Sequence, residues 1–524
     1  MRAIYVLSVL CATLSCAIAP PLAAATSAVP PDAPRCDSGQ VFVDGNANGR
    51  RDRGEPPVVG ARVSDGERIV AADAEGRYRL PDPMGGRLFL IKPAGYRVPV
   101  REDGLPDTWR EPTSTACADF GLRRDVRAPG APLDVLVFGD PQPKSPADVG
   151  YYEHDIVAPL RGRAEATLAL SLGDIVSDNA SLYPAIKRVD ASLALPWLHA
   201  AGNHDVDPGA VDDQHSLAAF HDAFGADTLA WEEDRANFVL LDDVVVNPGT
   251  GKPYVGGLRD DQFKFLEAYL ADADRSRLLV IALHIPLFDV AGVEIFRHAD
   301  RARLFALLSP FPHVLLLSAH THAQQHVFHG ADEGWIGARP LHEYNVGASC
   351  GAFWTGVKDT DGIPATTMAD GTPNGYARMR VAADGSVALR WFAARAPADA
   401  QIGLHSPGVI RRGAYPGYAV YANIWMGQAD TVVEYRVDDG SWKAMVRVLQ
   451  PDPAYVAEVL HDDEADALRG FDRVPEAVPT AHLWRGALPT DLPVGEHRVQ
   501  VRAPVNGFGL ATAETQYRLA DPAP

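Results

Sequence analysis

What most limits the folds open to this chain is a recurrence: five times between residues 133 and 322 an apolar run ends in a short polar motif. The motifs are Phe138-Gly139-Asp140-Pro141-Gln142, Leu172-Gly173-Asp174-Ile175-Val176-Ser177-Asp178-Asn179, Ala201-Gly202-Asn203-His204-Asp205, Ala282-Leu283-His284-Ile285-Pro286 and Ser318-Ala319-His320-Thr321-His322. Apolar runs bounded by turns read as buried strands, and helical segments between them make the region α/β. In an open α/β sheet the carboxyl ends of the strands converge on one crevice, so motifs far apart in sequence meet there. A lone histidine after a strand is ordinarily packed, and Gly-Asp or Asn-His-Asp is ordinarily turn chemistry. Five in this order, offering carboxylate, amide and imidazole but no thiolate, suit a pair of first-row ions such as Mn, Fe or Zn.

In order and spacing these motifs resemble those of the calcineurin-like metallophosphoesterases: D-x-H, G-D, G-N-H-D/E, H and G-H-x-H. The resemblance runs over roughly residues 133–395, about half of the chain. It implies an α/β/β/α sandwich in which Asp140, Gln142, Asp174 and His322 hold one metal, while Asp174, Asn203, His284 and His320 hold the second. It makes His204 the residue that faces the phosphate and serves the leaving oxygen, with Asp205 orienting its ring. The implied activity is hydrolysis of phosphomonoesters, phosphoserine and phosphothreonine included, by attack of a metal-bridging hydroxide. A phosphodiesterase or nucleotide hydrolase would use the same cage. A reading of another class is a surface-binding protein whose catalytic centre has decayed. It is motivated by Gln142, which stands where most members have His; Ala319 likewise stands where many have Gly. Some branches of the family carry Asp-Pro-Gln, so Gln142 reads as subfamily identity.

Other residues near the motifs have two readings each. Asp178 and Asn179 either support Asn203 and His204 or cap the next helix. Asn345, Cys350, Phe353 and Trp354 lie in or beside a Gly-rich loop that either walls the substrate pocket or packs structurally, while His326, His329 and His342 read as ordinary loop or edge residues. Phe263, Leu266 and Leu270 at helical spacing behind an Asp-rich start predict a capped helix over 260–270.

Alternating short runs broken by Gly, Pro and Asp predict all-β sandwiches on both sides. The expected division is therefore a leader over 1–25, an N-terminal sandwich over 35–123, the catalytic domain over 131–395 and a C-terminal sandwich over 400–524, with a linker at Ala128-Pro129-Gly130-Ala131-Pro132. Residues 44–55 have the spacing of a twelve-residue calcium loop. Asp44, Asn46, Asn48, Asp52 and Glu55 would offer side chains and Arg50 its carbonyl. This stretch resembles the B-type repeats of bacterial surface adhesins, and a metal-free surface loop is the other reading. In the C-terminal segment Trp425, Trp442 and Trp484 read as core.

The apolar run after Arg2, followed by small residues to Ala25, has the layout of a secretory leader, which implies a periplasmic or extracellular protein. A lipid anchor at Cys16 fits less well, because Thr13-Leu14-Ser15 is a poor lipobox. Without the leader, Cys36, Cys117 and Cys350 are left. Cys36 and Cys117 bracket one segment and are expected to pair, two free thiols being the other arrangement. The formal charge of −20 with no basic run excludes sequence-independent binding to a nucleic acid backbone, and metal ions would have to attract an anionic substrate. No later apolar run is long enough to span a membrane. Nothing in the sequence fixes the oligomeric state.

Overall fold

Strands buried on both faces send alternate side chains to opposite sides, so each must meet two apolar layers. That rule organises the middle of the molecule. In the computed structural model, which describes residues 36–522 except 82–86, 112–116, 128–130, 164, 248–252, 416, 468, 471 and 506–508, strand Leu278–Ala282 is buried throughout. Its Leu278, Val280 and Ala282 face a core shared with a second sheet, while Leu279 and Ile281 face helices. Ala236 and Phe238 against Val239, and Leu315 and Leu317 against Leu316, divide in the same way.

The first sheet has the order Trp197–Ala200, Leu168–Leu172, Leu133–Phe138, Gly375–Val381, Val387–Ala393; the first three run parallel and the last two are antiparallel. The second has the order Leu229–Glu232, Ala236–Leu240, Leu278–Ala282, Val314–Ser318, Leu341–Asn345, Gln325–His329, with a parallel centre and antiparallel edges. Helices Asp260–Asp272 and His298–Leu308 cover the outer face of the second sheet through Phe263, Leu266, Leu304 and Phe305. Helices Pro146–Tyr152 and Tyr183–Ala191 add Tyr152, Tyr183 and Ile186 to the core on the side of the first sheet. The result is an α/β/β/α sandwich. Each fully buried leucine in it contributes roughly 2 kcal/mol.

The helix expected over 260–270 runs from Asp260 to Asp272, but its cap is not an aspartate: Arg259 N–H donates to Gln262 Oε1 at 2.9 Å. The N-terminal region is a sandwich of two four-stranded sheets closing on Val41, Val63, Leu90 and Phe120, with Cys36 and Cys117 joined in a disulfide. The C-terminal strands also form two sheets, yet they differ from a free-standing sandwich in two ways. Helix Pro453–Asp463 interrupts them, started by Asp452, whose side chain accepts from Ala454 N–H at 2.8 Å. Their core is also continuous with the two central sheets, one apolar cluster running from Leu136 through Trp391 and Ile402 to Trp484 and Val499. Trp425 and Trp484 are buried, but Trp442 lies between Arg436 and Arg502, whose guanidinium carbons are 4.8 and 4.1 Å from its ring. The leader residues and most of the linker lie outside the described residues. No helix among the described residues is long and apolar enough to cross a membrane.

Candidate metal centre

The five motifs meet. His322 Nε2 lies 3.6 Å from Asp140 Oδ1, His284 Nε2 lies 3.4 Å from Asp174 Oδ2 and 3.1 Å from Asn203 Oδ1, and His320 Nδ1 lies 3.1 Å from His284 Nε2. Ligand atoms of Asp174, His284 and His320 all fall within 4.8 Å of one another.

The hydrogen bonds behind the rings decide what the front presents. His284 Nδ1 is 2.8 Å from the Leu172 carbonyl and His322 Nδ1 is 2.9 Å from the Gly351 carbonyl. A carbonyl only accepts, so each Nδ1 carries the proton and each neutral ring aims the Nε2 lone pair inward. Those lone pairs face carboxylate and amide oxygens in a buried space, an arrangement that repels itself unless positive charge lies between. Asp140 Oδ1 has no hydrogen-bond partner although it is buried. With protons alone available, burial disfavours a charged His284, but Asp174 beside it prevails and raises its pKa to about 10. His320 is pushed down to about 3 by burial and by His284. Burial also raises Asp140, against the pull of His322 and His284. A proton on His284 thus sits where a cation would sit, and the donor set fits a pair of first-row ions.

Gln142 reaches the same space. Its Nε2, not its oxygen, faces Asp174 Oδ2 at 3.2 Å, so ligation by oxygen requires the amide turned over by half a rotation. Ala319 packs beside Gly139, where an added β-carbon would lie 2.9 Å from the Gly347 carbonyl oxygen and 3.3 Å from the Ala319 methyl.

Backbone strain marks the same place. Asp140, Gln142, Asp174, His320 and His322 all have positive φ, between 42° and 69°. Left-handed backbone costs a residue with a β-carbon roughly 1–2 kcal/mol, so these side chains are held against local preference. Glycine is used where a side chain cannot fit: a β-carbon on Gly202 would stand 2.1 Å from Asp174 N, and one on Gly173 2.7 Å from His284 Nδ1.

His204 has a carboxylate partner other than the one expected. Its Nδ1 is 2.9 Å from Asp178 Oδ1, and its backbone N–H donates to Asp174 Oδ1 at 2.8 Å. Asp205, expected to orient the ring, turns the other way, and the carboxylate in contact with the ring is that of Asp178. Asp205 accepts from Gly202 N–H at 2.9 Å, from Ile175 N–H at 3.1 Å and from the Tyr183 hydroxyl at 2.9 Å, which ties the second motif to the third. Burial, reinforced by Asp174, raises its pKa to about 7.

Three buttresses hold the remaining loops. Asp243, which the sequence reading missed, accepts from the backbone N–H groups of His284 and Ile285 at 3.0 and 2.9 Å. It too follows a strand, Ala236–Leu240, and that placement was the available signal. Asn345 donates to the Ala319 carbonyl and accepts from the Thr321 hydroxyl, while Glu343 accepts from Ser318 Oγ at 2.6 Å and Leu287 N–H at 3.1 Å. Cys350 is a buried free thiol 3.8 Å from Gln142 Oε1, and burial pushes its pKa up. His326 and His342 pair with each other at 2.9 Å, away from the centre.

In the N-terminal loop the expected calcium ligands satisfy one another. Asp44 accepts from the N–H groups of Asn48 and Gly49, Glu55 from those of Gly45 and Asp52, and Asn48 Oδ1 accepts from Arg50 N–H. Both asparagine amides donate to Asp52 Oδ2, at 2.7 and 2.8 Å. Arg51 turns out of the loop to the Glu75 carbonyl, 2.8 Å away.

A two-sheet α/β scaffold with acid, amide and imidazole groups gathered at its strand ends defines a metal-binding hydrolase class. Three models match the chain: N terminal of Calcineurin-like phosphoesterase over residues 45–125, Calcineurin-like phosphoesterase over 133–324 and C terminal of Calcineurin-like phosphoesterase over 343–510. The chain belongs to the calcineurin-like phosphoesterases, which are metal-dependent phosphoester hydrolases. Over 183 residues it is 31% identical to the 3′,5′-cyclic adenosine monophosphate phosphodiesterase CpdA of Escherichia coli (strain K12), covering 34% of this chain and 60% of that protein. Against CpdA of Pseudomonas aeruginosa it is 30% identical over 174 residues, covering 31% and 57%. The chain thus spans no more than about 60% of the length of these relatives. Purple acid phosphatase PPD1 from yellow lupin seeds aligns at 14% identity with a TM-score of 0.38, covering 64% of this chain and 72% of that one.

Proposed function

We propose that the chain is a two-metal phosphoester hydrolase in which Asp140, Gln142, Asp174 and His322 hold one ion and Asp174, Asn203, His284 and His320 the other. The observation that carries this reading is the set of inward lone pairs and the partnerless Asp140 oxygen, for which cations are the natural counterpart. Two Mn, Fe or Zn ions would bring a water's pKa toward neutrality and polarise the phosphoryl oxygens. His204 supplies the proton traffic: with Nδ1 fixed by Asp178 and the side chain 31% exposed, its Nε2 is free to reach a phosphoryl or leaving oxygen. Asp205 keeps that segment in place.

A nucleotide phosphodiester is the first substrate class, supported by the name of the CpdA relatives. The phosphomonoester reading, phosphoserine and phosphothreonine included, stands second because the same cage serves both and only the surrounding walls choose. With Mn supplied, p-nitrophenyl phosphate and its bis ester separate the two, the bis ester being the faster under the first reading; hydrolysis of neither overturns both. A decayed surface-binding protein would instead hold fewer than two transition ions.

The division at 123–131 and 395–400, calcium between Asp44 and Glu55, and export to the periplasm or beyond complete the proposal. Export is supported by the leader pattern and by the Cys36–Cys117 disulfide, a bond that oxidising compartments maintain.

A further inference from the structure

Phe353 carries two costs that packing does not return. Its surface is 45% exposed, and its φ of 59° lies in the left-handed region where glycine would be relaxed. The residue beside it has a structural reason for the same backbone: Trp354 is buried, its indole N–H donates to the Pro141 carbonyl at 2.9 Å, and its ring packs against Tyr151. The loop is also fastened to the first motif, Ser349 N–H donating to the Gly139 carbonyl at 2.7 Å and Cys350 N–H to that of Asp140 at 3.1 Å. So fastened, it holds the Phe353 ring 4.4 Å from the ring of His322, tilted by 32°. Beside His320, Tyr254 presents a second ring, edge-on at 6.2 Å. A phosphate between ions has no use for an apolar wall, but a flat group hanging from that phosphate does.

We infer that Phe353 sets substrate preference at this centre by stacking a planar aromatic group, a nucleobase or aryl ring, carried by the phosphoester. The inference rests on the hydrolase reading above, and its test is chosen so that the two fail separately. A nucleoside 5′-phosphate and ribose 5-phosphate share one leaving oxygen and differ only in the base. A 3′,5′-cyclic nucleotide and its abasic counterpart do the same for a diester. With the Mn-loaded full chain, the base-bearing member of the hydrolysed pair should have a kcat/KM higher on the order of tenfold, chiefly through KM. In Phe353→Ala that gap should close to within about twofold, the loss falling on the base-bearing member. Phe353→Gly should close it equally while melting no lower than wild type, because glycine relaxes the backbone. A gap that persists in both variants, or equal losses on both members, overturns the inference. Calorimetry with the non-hydrolysable methylenephosphonate analogues of AMP and ribose 5-phosphate tests base recognition without turnover: equal affinity in the wild type overturns the inference. Turnover of no member of either pair counts instead against the hydrolase reading.

Discussion

Asp178 and Asp205 lie on either side of the same histidine in sequence, yet only Asp178 touches its ring. Asp178 has a φ of 54° and holds its carboxylate 2.9 Å from His204 Nδ1. Loss of a carboxylate that orients a working imidazole costs about 10- to 100-fold in activity. Asp178→Asn should therefore lower kcat by that much with an unchanged melting temperature, since its side chain is 69% exposed. Asp205→Asn should instead lower the melting temperature, because one oxygen accepts both Gly202 and Ile175 N–H groups in the interior. Kinetics beside thermal melts separate the two; the reverse pattern would restore the role to Asp205. Sequence could not make this choice. Both acids sit in motifs, and only the path of the backbone selects between them.

At the scale of elements, the strand Gln325–His329 ends in a buried imidazole between two carboxylates: His329 Nε2 is 2.7 Å from Glu343 and Nδ1 is 3.0 Å from Glu333. Burial works against the charged ring, but the bond to Glu343 prevails and raises its pKa above 6.5. A raised folded-state pKa contributes stability that is fully present below the unfolded value and fades as pH rises through the folded one. Wild type should thus lose stability above about pH 6.5 relative to His329→Gln, whose melting temperature should lack that component. Parallel pH profiles would contradict the account. In the N-terminal loop, calcium must replace the hydrogen bonds from Asn46 and Asn48 to Asp52. Millimolar calcium should raise the melting temperature of that module relative to a chelator, and no shift would assign the loop to hydrogen bonding alone. Helix Pro453–Asp463 was not anticipated although Asp452-Pro453 is a helix start, because strand signals on both sides dominate that region.

For the whole molecule, the strand-end motifs made the α/β centre legible, since chemistry fixed at strand ends leaves a trace that periodicity alone does not. What each apolar face packs against left no such trace, and so the core shared between the two central sheets and the C-terminal strands emerged only in three dimensions. The same holds for the N-terminal sandwich. Lys92, 1% exposed, bonds Glu233 at 2.6 Å and the Glu232 carbonyl at 2.8 Å, Trp231 donates to Glu233 as well, and Arg62 pairs with Glu232. Removing one partner of a buried ion pair costs about 3 kcal/mol. Lys92→Met should accordingly lower the first unfolding transition and separate the N-terminal module from the rest in calorimetry; a single unshifted transition would contradict a docking role.

The centre itself is tested most directly by counting ions. Elemental analysis of the full chain purified with Mn should find two transition ions per chain in the wild type. It should find fewer than one in Asp174→Asn, which removes the carboxylate proposed to serve both. A wild type that holds fewer than two, or an Asp174→Asn variant that holds two, would contradict the account.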